Sequence, residues 1–376
     1  MKRWSLMMVV LILAVVVAAC GNGNSKNNTA GGNKGADKGN NAEQTNAGKS
    51  NDAEVKTKDT LTIVWLPNES GGNMKEARDE IGALVEKASG KKVEHKVTTD
   101  YIIAVESIAN GTADIGYFGP QAYVEANAKN DKVQPLVTNA GKSGTLEDAM
   151  YYSWLAVNKG EESGYAAGDS FAIDNIKGKK FSFVSNSSTS GFKVPTAGII
   201  SYFKDNHAMA DLTADDLVEG GKDKFFSQVL FGGSHQGSAV NLMSGKVDVA
   251  AFCNTCVVNY VELAAGEENA VGSTYKVKAD AEAPFNTVAG KEFAVISSTP
   301  VLNQPFIVNT DTVSAEHIKL ITDAFESDET TNNPKIFVPE DSEFSGMFKK
   351  DGETRFLKVE DAWFNPIREL TGGAAK

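Results

Sequence analysis

Hydrophobic and polar positions divide the chain into three unlike stretches. An unbroken apolar run, Leu6–Val17, follows Lys2 and Arg3 and leads into Ala18-Ala19-Cys20. From 21 to 58 the single large apolar residue is Val55. From Asp59 onward the apolar positions become periodic. Leu61–Leu66 is a β-rich run that stops at the polar turn 67–72. Met74, Ala77, Ile81, Leu84, Val85 and Ala88 then recur at helical spacing, with Asn73 as a candidate N-cap, Glu76 three residues on and Gly90 as the stop. A second short strand, Lys92–Val97, follows. Strand, helix, strand is the pattern of an α/β fold with parallel strands.

The same unit occurs twice. A shift of 134 residues lays Tyr101–Phe118 over His235–Phe252 and superimposes Ile108 on Leu242, Gly111 on Gly245, Asp114 on Asp248 and Phe118 on Phe252. Both copies read as helix, glycine stop, tight turn and strand. Two α/β lobes of related build are the simplest reading. The shift also places Tyr101 opposite His235, each at a helix start. Helix starts collect at the carboxyl ends of parallel strands, where such folds bind ligands.

The first stretch reads as an address. A basic start, a short apolar run and small residues before the cut describe a secretory signal, and the run is shorter than the ~20 residues of a comfortable membrane span. Val17-Ala18-Ala19-Cys20 resembles a bacterial lipobox, which implies removal of 1–19 and lipid modification of Cys20. The second stretch holds nine Asn and seven Gly. It has too little apolar surface to offset the entropy of ordering it. As a flexible coil its 38 residues span roughly 30–37 Å r.m.s., enough to hold a soluble body clear of a membrane.

Charge enters next. The chain carries 37 Lys+Arg against 49 Asp+Glu, a formal −12, and the part after residue 58 carries −16 because the first two stretches are basic. That argues against a nucleic-acid binder. Three cysteines, Cys20, Cys253 and Cys256, exclude a disulfide scaffold and a four-cysteine zinc site.

Four motifs can carry chemistry. Phe181–Val184 is a strand that runs into Ser185-Asn186-Ser187-Ser188-Thr189-Ser190-Gly191 and then a helical pattern. Hydroxyls and free backbone N–H groups gathered at a helix start form a ready anion site, whereas a simple cap needs one hydroxyl. Phe231–Ser238 is a second Gly/Ser-rich helix start, with His235 able to bond an oxyanion. Tyr117–Tyr123 is a strand end with Pro120 at a first helical position and Gly119 opening the backbone. Cys253-Asn254-Thr255-Cys256 follows the second repeat strand. A disulfide, two idle thiols and a redox or metal pair all fit that spacing, and no His or Cys near it in sequence supports a metal. There is no G-x-S-x-G elbow, P-loop or H-E-x-x-H, so no enzyme, cofactor or metal is expected.

These blocks, in this order and behind a lipobox, make the globular part resemble the phosphate/phosphite/phosphonate-binding (PhnD-like) proteins of ABC importers. The resemblance rests on Thr60–Ser70, on Asp100-Tyr101 through Asp114–Pro120 and Tyr123, on Ser188–Gly191 with Pro195, and on Gly233–His235 through Gly245–Asp248. It implies a type II periplasmic-binding fold, with each lobe a mostly parallel sheet flanked by helices and the ligand between them. Residues 59–157 and 293–376 would form one lobe and 158–292 the other, with crossings near 157–160 and 292–297. It implies that Ser188, Thr189, Ser190, His235 and Tyr101 grip an oxyanion, with Phe118 and Gly119 lining the first lobe. Acidic residues hold the ammonium in the family's aminophosphonate binders. Thr255 and Gln304 stand where such acids would fall, which implies an amine-free ligand held by neutral donors. The implied partners are a small phosphorus oxyanion, a permease and the membrane through Cys20, for a monomer outside the cytoplasm. A receptor for a sulfonate-like anion, a sensor partner and an extracytoplasmic phosphoesterase are the alternatives.

Overall fold

A computed structural model describes residues 58–372 apart from 72–73, 169, 208, 341, 343 and 345. The address, the tether, Cys20 and the Asn73 cap lie outside these residues. The opening β-α-β unit forms as the periodicity predicts. Thr60–Trp65 and Lys92–Val97 pair in parallel, Thr60 beside Lys92 and Trp65 beside Val97, with helix Lys75–Ser89 between them. Gly90 ends that helix with φ 67°, a left-handed conformation that glycine adopts without a Cβ penalty.

Two sheets organise the chain. The first has six strands in the order Phe356–Lys358, Val133–Asn139, Pro305–Asn309, Ile115–Tyr117, Thr60–Trp65, Lys92–Val97. The second has seven: Val261–Ala265, Thr274–Val277, Glu292–Leu302, Met150–Asn158, Val249–Cys253, Lys180–Phe183, Gln228–Phe231. Each sheet is mixed. Both sheets bury apolar side chains on both faces, as covered sheets do. In the first, Ile63 and Trp65 pack with Ile81 and Val85, while Val64 and Leu66 pack on the opposite side with Ala104 and Ile108. In the second, Trp154 and Ala156 face one cluster, and Leu155 and Val157 the other. That alternation is the two-residue period of a strand.

The repeat is physical. Helix Tyr101–Ala109 precedes Ile115–Tyr117 in the first sheet, and helix His235–Met243 precedes Val249–Cys253 in the second. Gly111 and Gly245 hold φ 75° and 76° in the matching turns. Asp114 accepts from the Thr62 amide at 2.8 Å, and Asp248 accepts from the Lys180 amide at 2.8 Å. Each aspartate thus pins the neighbouring parallel strand at its entry, which is why this residue recurs at the same place.

The passages between sheets differ from expectation. Met150–Asn158 and Glu292–Leu302 pair with each other along their whole length and belong entirely to the second sheet. The chain therefore passes between sheets at 140–149 and at Asn303-Gln304, not at 157–160 and 292–297. A strand bonded on both sides within one sheet cannot serve as the passage.

Candidate functional site

The serine-rich segment leaves strand Lys180–Phe183 and enters a single wide turn, Thr189–Lys193, that feeds helix Val194–His207. Ser187, Ser188, Thr189 and Ser190 are all buried. Ser188 is the cap: its Oγ accepts from the Gly191 amide at 3.1 Å. Thr189 Oγ1 accepts from the Gln121 amide at 2.8 Å, so its own proton is free to point elsewhere. Ser190 is held through its carbonyl, which accepts from Ser153 Oγ at 2.7 Å, while its Oγ has no partner. An unpartnered buried hydroxyl is costly unless a bound group completes it.

His235 begins its helix behind Ser234, whose Oγ caps the Gly237 amide. Its Nδ1 accepts from the Cys253 amide at 3.0 Å. In a neutral ring the proton is then on Nε2, which lies 3.4 Å from Ser188 Oγ. Burial pushes the ring's pKa down to about 3, so the imidazole is a neutral donor at ordinary pH.

Asn68 joins the two sheets at this point. Its Nδ2 donates to the Tyr101 hydroxyl at 2.6 Å, its Oδ1 accepts from the His235 amide at 3.1 Å, and its carbonyl accepts from Gln236 Nε2 at 3.1 Å. The Tyr101 proton is left to be given away. Burial holds the Tyr101 hydroxyl far above its ordinary range and pushes Tyr151 up to about 12, so both stay neutral. The hydroxyls of Ser190 and Thr189 lie near enough to Tyr151 to offset part of that shift, without a regular hydrogen bond from Ser190.

Gly119 precedes helix Pro120–Lys129, and a Cβ there would lie 3.0 Å from Thr189 Oγ1. Its missing side chain allows the first sheet's loop to dock on the serine segment. Phe118 does not line the polar site. Its ring is fully buried in the apolar cluster with Val64, Leu66, Tyr101 and Val184. Thr255 and Gln304 both line two adjoining chambers, of about 580 Å³ and about 50 Å³.

The smaller chamber corrects one expectation. Glu69 lines it together with Thr255 and Gln304, so an acidic side chain does reach this place. Glu69 Oε2 and Gln236 Oε1 are both buried and without partners. Burial pushes the Glu69 carboxyl up to about 8, outweighing the opposing pull of backbone amides and of the Arg78 guanidinium, which keeps it protonated at neutral pH. The absence of an acid at positions 255 and 304 therefore does not exclude an ammonium on the ligand. No Lys or Arg is among the residues lining this chamber.

Asn68, Glu69, Tyr151 and Gln236 were not found from sequence. Asn68 and Glu69 sit in the turn that reads as strand punctuation, and Tyr151 lies in strand Met150–Asn158, which no sequence motif marks. Of the three readings left open for the cysteine pair, the structure holds the disulfide. Cys253 and Cys256 are joined as a disulfide, Cα–Cα 5.4 Å, and His235 lies beside them although it is 18 residues from Cys253 in sequence. Folding thus supplies the histidine that the local sequence lacks.

Packing of the serine turn is tight. A Cβ on Gly191 would fall inside contact distance of the Val184 side chain and 2.8 Å from Ser188 Oγ. Gly191→Ala is expected to cost about 1–3 kcal/mol, the usual effect of overpacking. Urea denaturation checks it, and a wild-type midpoint would show that the turn yields freely.

Comparison with known proteins places the chain in a family. Residues 63–364 match the family described as the periplasmic substrate-binding protein of phosphonate ABC transporters. The phosphate-import protein PhnD of Mycolicibacterium smegmatis is 30% identical over 205 residues, 53% of this chain and 56% of that protein, so the match spans little more than half of each. Among solved structures, a binding protein component of an ABC phosphonate transporter from Pseudomonas aeruginosa superposes with a TM-score of 0.57 at 19% identity, covering 83% of this chain and 85% of the other. PhnD1 from Prochlorococcus marinus, solved in complex with methylphosphonate, superposes with a TM-score of 0.58 at 15% identity, covering 84% and 97%. At these identities the likeness is one of fold, the two-lobed type II periplasmic-binding architecture. With the matching model spanning most of its length, the chain belongs to the phosphonate-binding family of ABC-transporter substrate-binding proteins.

Proposed function

We propose that this protein is an extracytoplasmic lipoprotein that captures a phosphorus oxyanion (phosphate, phosphite or an alkylphosphonate) and delivers it to an ABC permease. The observation that carries the reading is the convergence of buried neutral donors from both sheets. Ser188, Thr189, the unpartnered Ser190 hydroxyl, His235 Nε2–H and the Tyr101 hydroxyl meet where Asn68 ties the sheets together. Donors fixed in place before the ligand arrives bind an anion without a counter-charge. The negative net charge does not oppose this, because surface carboxylates are screened beyond about 8 Å at physiological salt.

In this reading residues 1–19 are removed and Cys20 carries the lipid. The tether then holds the monomeric body within reach of its permease. The two lobes close on the ligand, and the permease recognises the closed form. No covalent chemistry is involved. No helix among the described residues is long and apolar enough to cross a membrane. The site residues assigned to the ligand are Tyr101, Gly119, Ser188, Thr189, Ser190 and His235, with Tyr151 added and Phe118 placed behind them. Thr255, Gln304 and Glu69 face the ligand's substituent.

A thermal-shift panel on the purified protein, stripped of carried ligand by unfolding and refolding, tests this. Phosphate, phosphite, methylphosphonate, aminoethylphosphonate and sulfate are compared at one concentration. A ligand at 100 times its dissociation constant adds about 2.7 kcal/mol of stability. A large shift with a phosphorus oxyanion and none with sulfate is expected. A shift with sulfate alone, or with none of the five, overturns the assignment.

A further inference from the structure

The disulfide lies against the oxyanion site, and the reading above gives it no role. Cys253 ends the central strand Val249–Cys253 and is fully buried, and Cys256 lies at the edge of the small chamber. One ligating atom from each of His235, Cys253 and Cys256 lies within 4.8 Å of the others, a group of three potential metal ligands among the described residues.

We propose that, once reduced, Cys253 and Cys256 together with His235 form a binding site for a thiophilic divalent cation of the zinc class. Two cysteines at i and i+3 on a tight loop are a recurrent half of a zinc site, and an imidazole completes a three-ligand set with one position open. Two further contacts fit this use. The Cys256 amide donates to Cys253 Sγ at 3.1 Å, and the Thr255 hydroxyl lies 3.8 Å from the same sulfur. Hydrogen bonds to sulfur favour the thiolate, the form that binds metal. On His235 the nitrogen with the free lone pair is Nδ1, now occupied by the Cys253 amide. A metal would take that amide's place and leave the Nε2 proton where it is.

The chemistry balances with an external dithiol. The dithiol gives two electrons and two protons to the Cys253–Cys256 bond, yielding two thiols and its own disulfide. Binding of the cation then releases the two thiol protons. Disulfide and metal are alternative states of one pair, so the oxidised chain cannot load.

Cobalt(II) is the probe. The purified protein is reduced with a dithiol, freed of it under inert gas and titrated. The reduced wild type is expected to take one equivalent and to show thiolate-to-cobalt charge transfer with tetrahedral visible bands. The oxidised protein is expected to show neither. Cys253→Ser and Cys256→Ser should each lose the thiolate band, and His235→Gln should weaken binding by about tenfold or more. Comparison of oxidised with reduced wild type needs no variant to fold. No thiolate band in the reduced protein, the same band in the oxidised protein, or undiminished affinity in His235→Gln overturns the proposal. The readout requires no oxyanion, so its failure leaves the transport reading untouched.

Discussion

Replacing His235 with Ala is expected to lower affinity for the oxyanion by about 10- to 100-fold, the usual worth of one hydrogen bond to a charged group. Nε2–H is a fixed donor because Nδ1 is engaged by the Cys253 amide at 3.0 Å, and burial keeps the ring neutral. Gln at this position keeps a donor but loses the fixed direction, so it should fall between Ala and wild type. Ser188→Ala removes the Nε2 neighbour and the cap on the Gly191 amide together, and should cost at least as much as His235→Ala. Calorimetric titration with methylphosphonate checks the order. Wild-type affinity in both Ala variants would mean that the oxyanion sits elsewhere.

The second large effect is on stability against pH. His235 has a folded pKa of about 3 against an ordinary 6.5. The unfolded chain therefore binds the extra proton first, and stability falls as pH drops from 6.5 toward 3. Glu69 is the opposite case, at about 8 against 4.5. The folded chain keeps a proton that the unfolded chain has released, so stability falls as pH rises from 4.5 toward 8. Each complete window is worth about 5 kcal/mol as an order of magnitude. The two slopes cancel between 4.5 and 6.5, where the ligand-free protein should be most stable. Glu69→Gln should flatten the alkaline limb and His235→Gln the acid limb. Urea denaturation across pH measures both. An unchanged alkaline limb in Glu69→Gln would show that the carboxyl is solvated.

What could be read in advance was local. The serine run, the glycine-rich start before His235 and the Gly-Asp turns of the repeat announce themselves within a few residues, because caps and tight turns are short-range devices. The partners of Asn68 lie 33 and 167 positions away, and a polar residue after a strand reads first as punctuation. Tyr151 sits in a strand of buried side chains, where a hydroxyl is easily counted as core. The passages between sheets fall elsewhere than expected because 292–297 is a buried, mostly apolar stretch inside strand Glu292–Leu302 and residues 157–158 close strand Met150–Asn158, whereas the true passages at 140–149 and 303–304 carry no periodicity to mark them. Glu69 shows the same limit. Its chamber is assembled by the turn at 67–69, helix His235–Met243 and the loop at 255–260, which only the fold brings together.

The central claim is that neutral donors at Ser188–Ser190, His235 and Tyr101 hold a phosphorus oxyanion without chemistry. Phosphorus NMR of methylphosphonate titrated with the ligand-stripped protein tests it directly. The expected result is one bound resonance that saturates at one equivalent, persists without any new phosphorus species, and is lost when Ser188 and His235 are both replaced by Ala. A spectrum showing only free methylphosphonate, a bound resonance that survives the double replacement, or a growing phosphate product signal would contradict it.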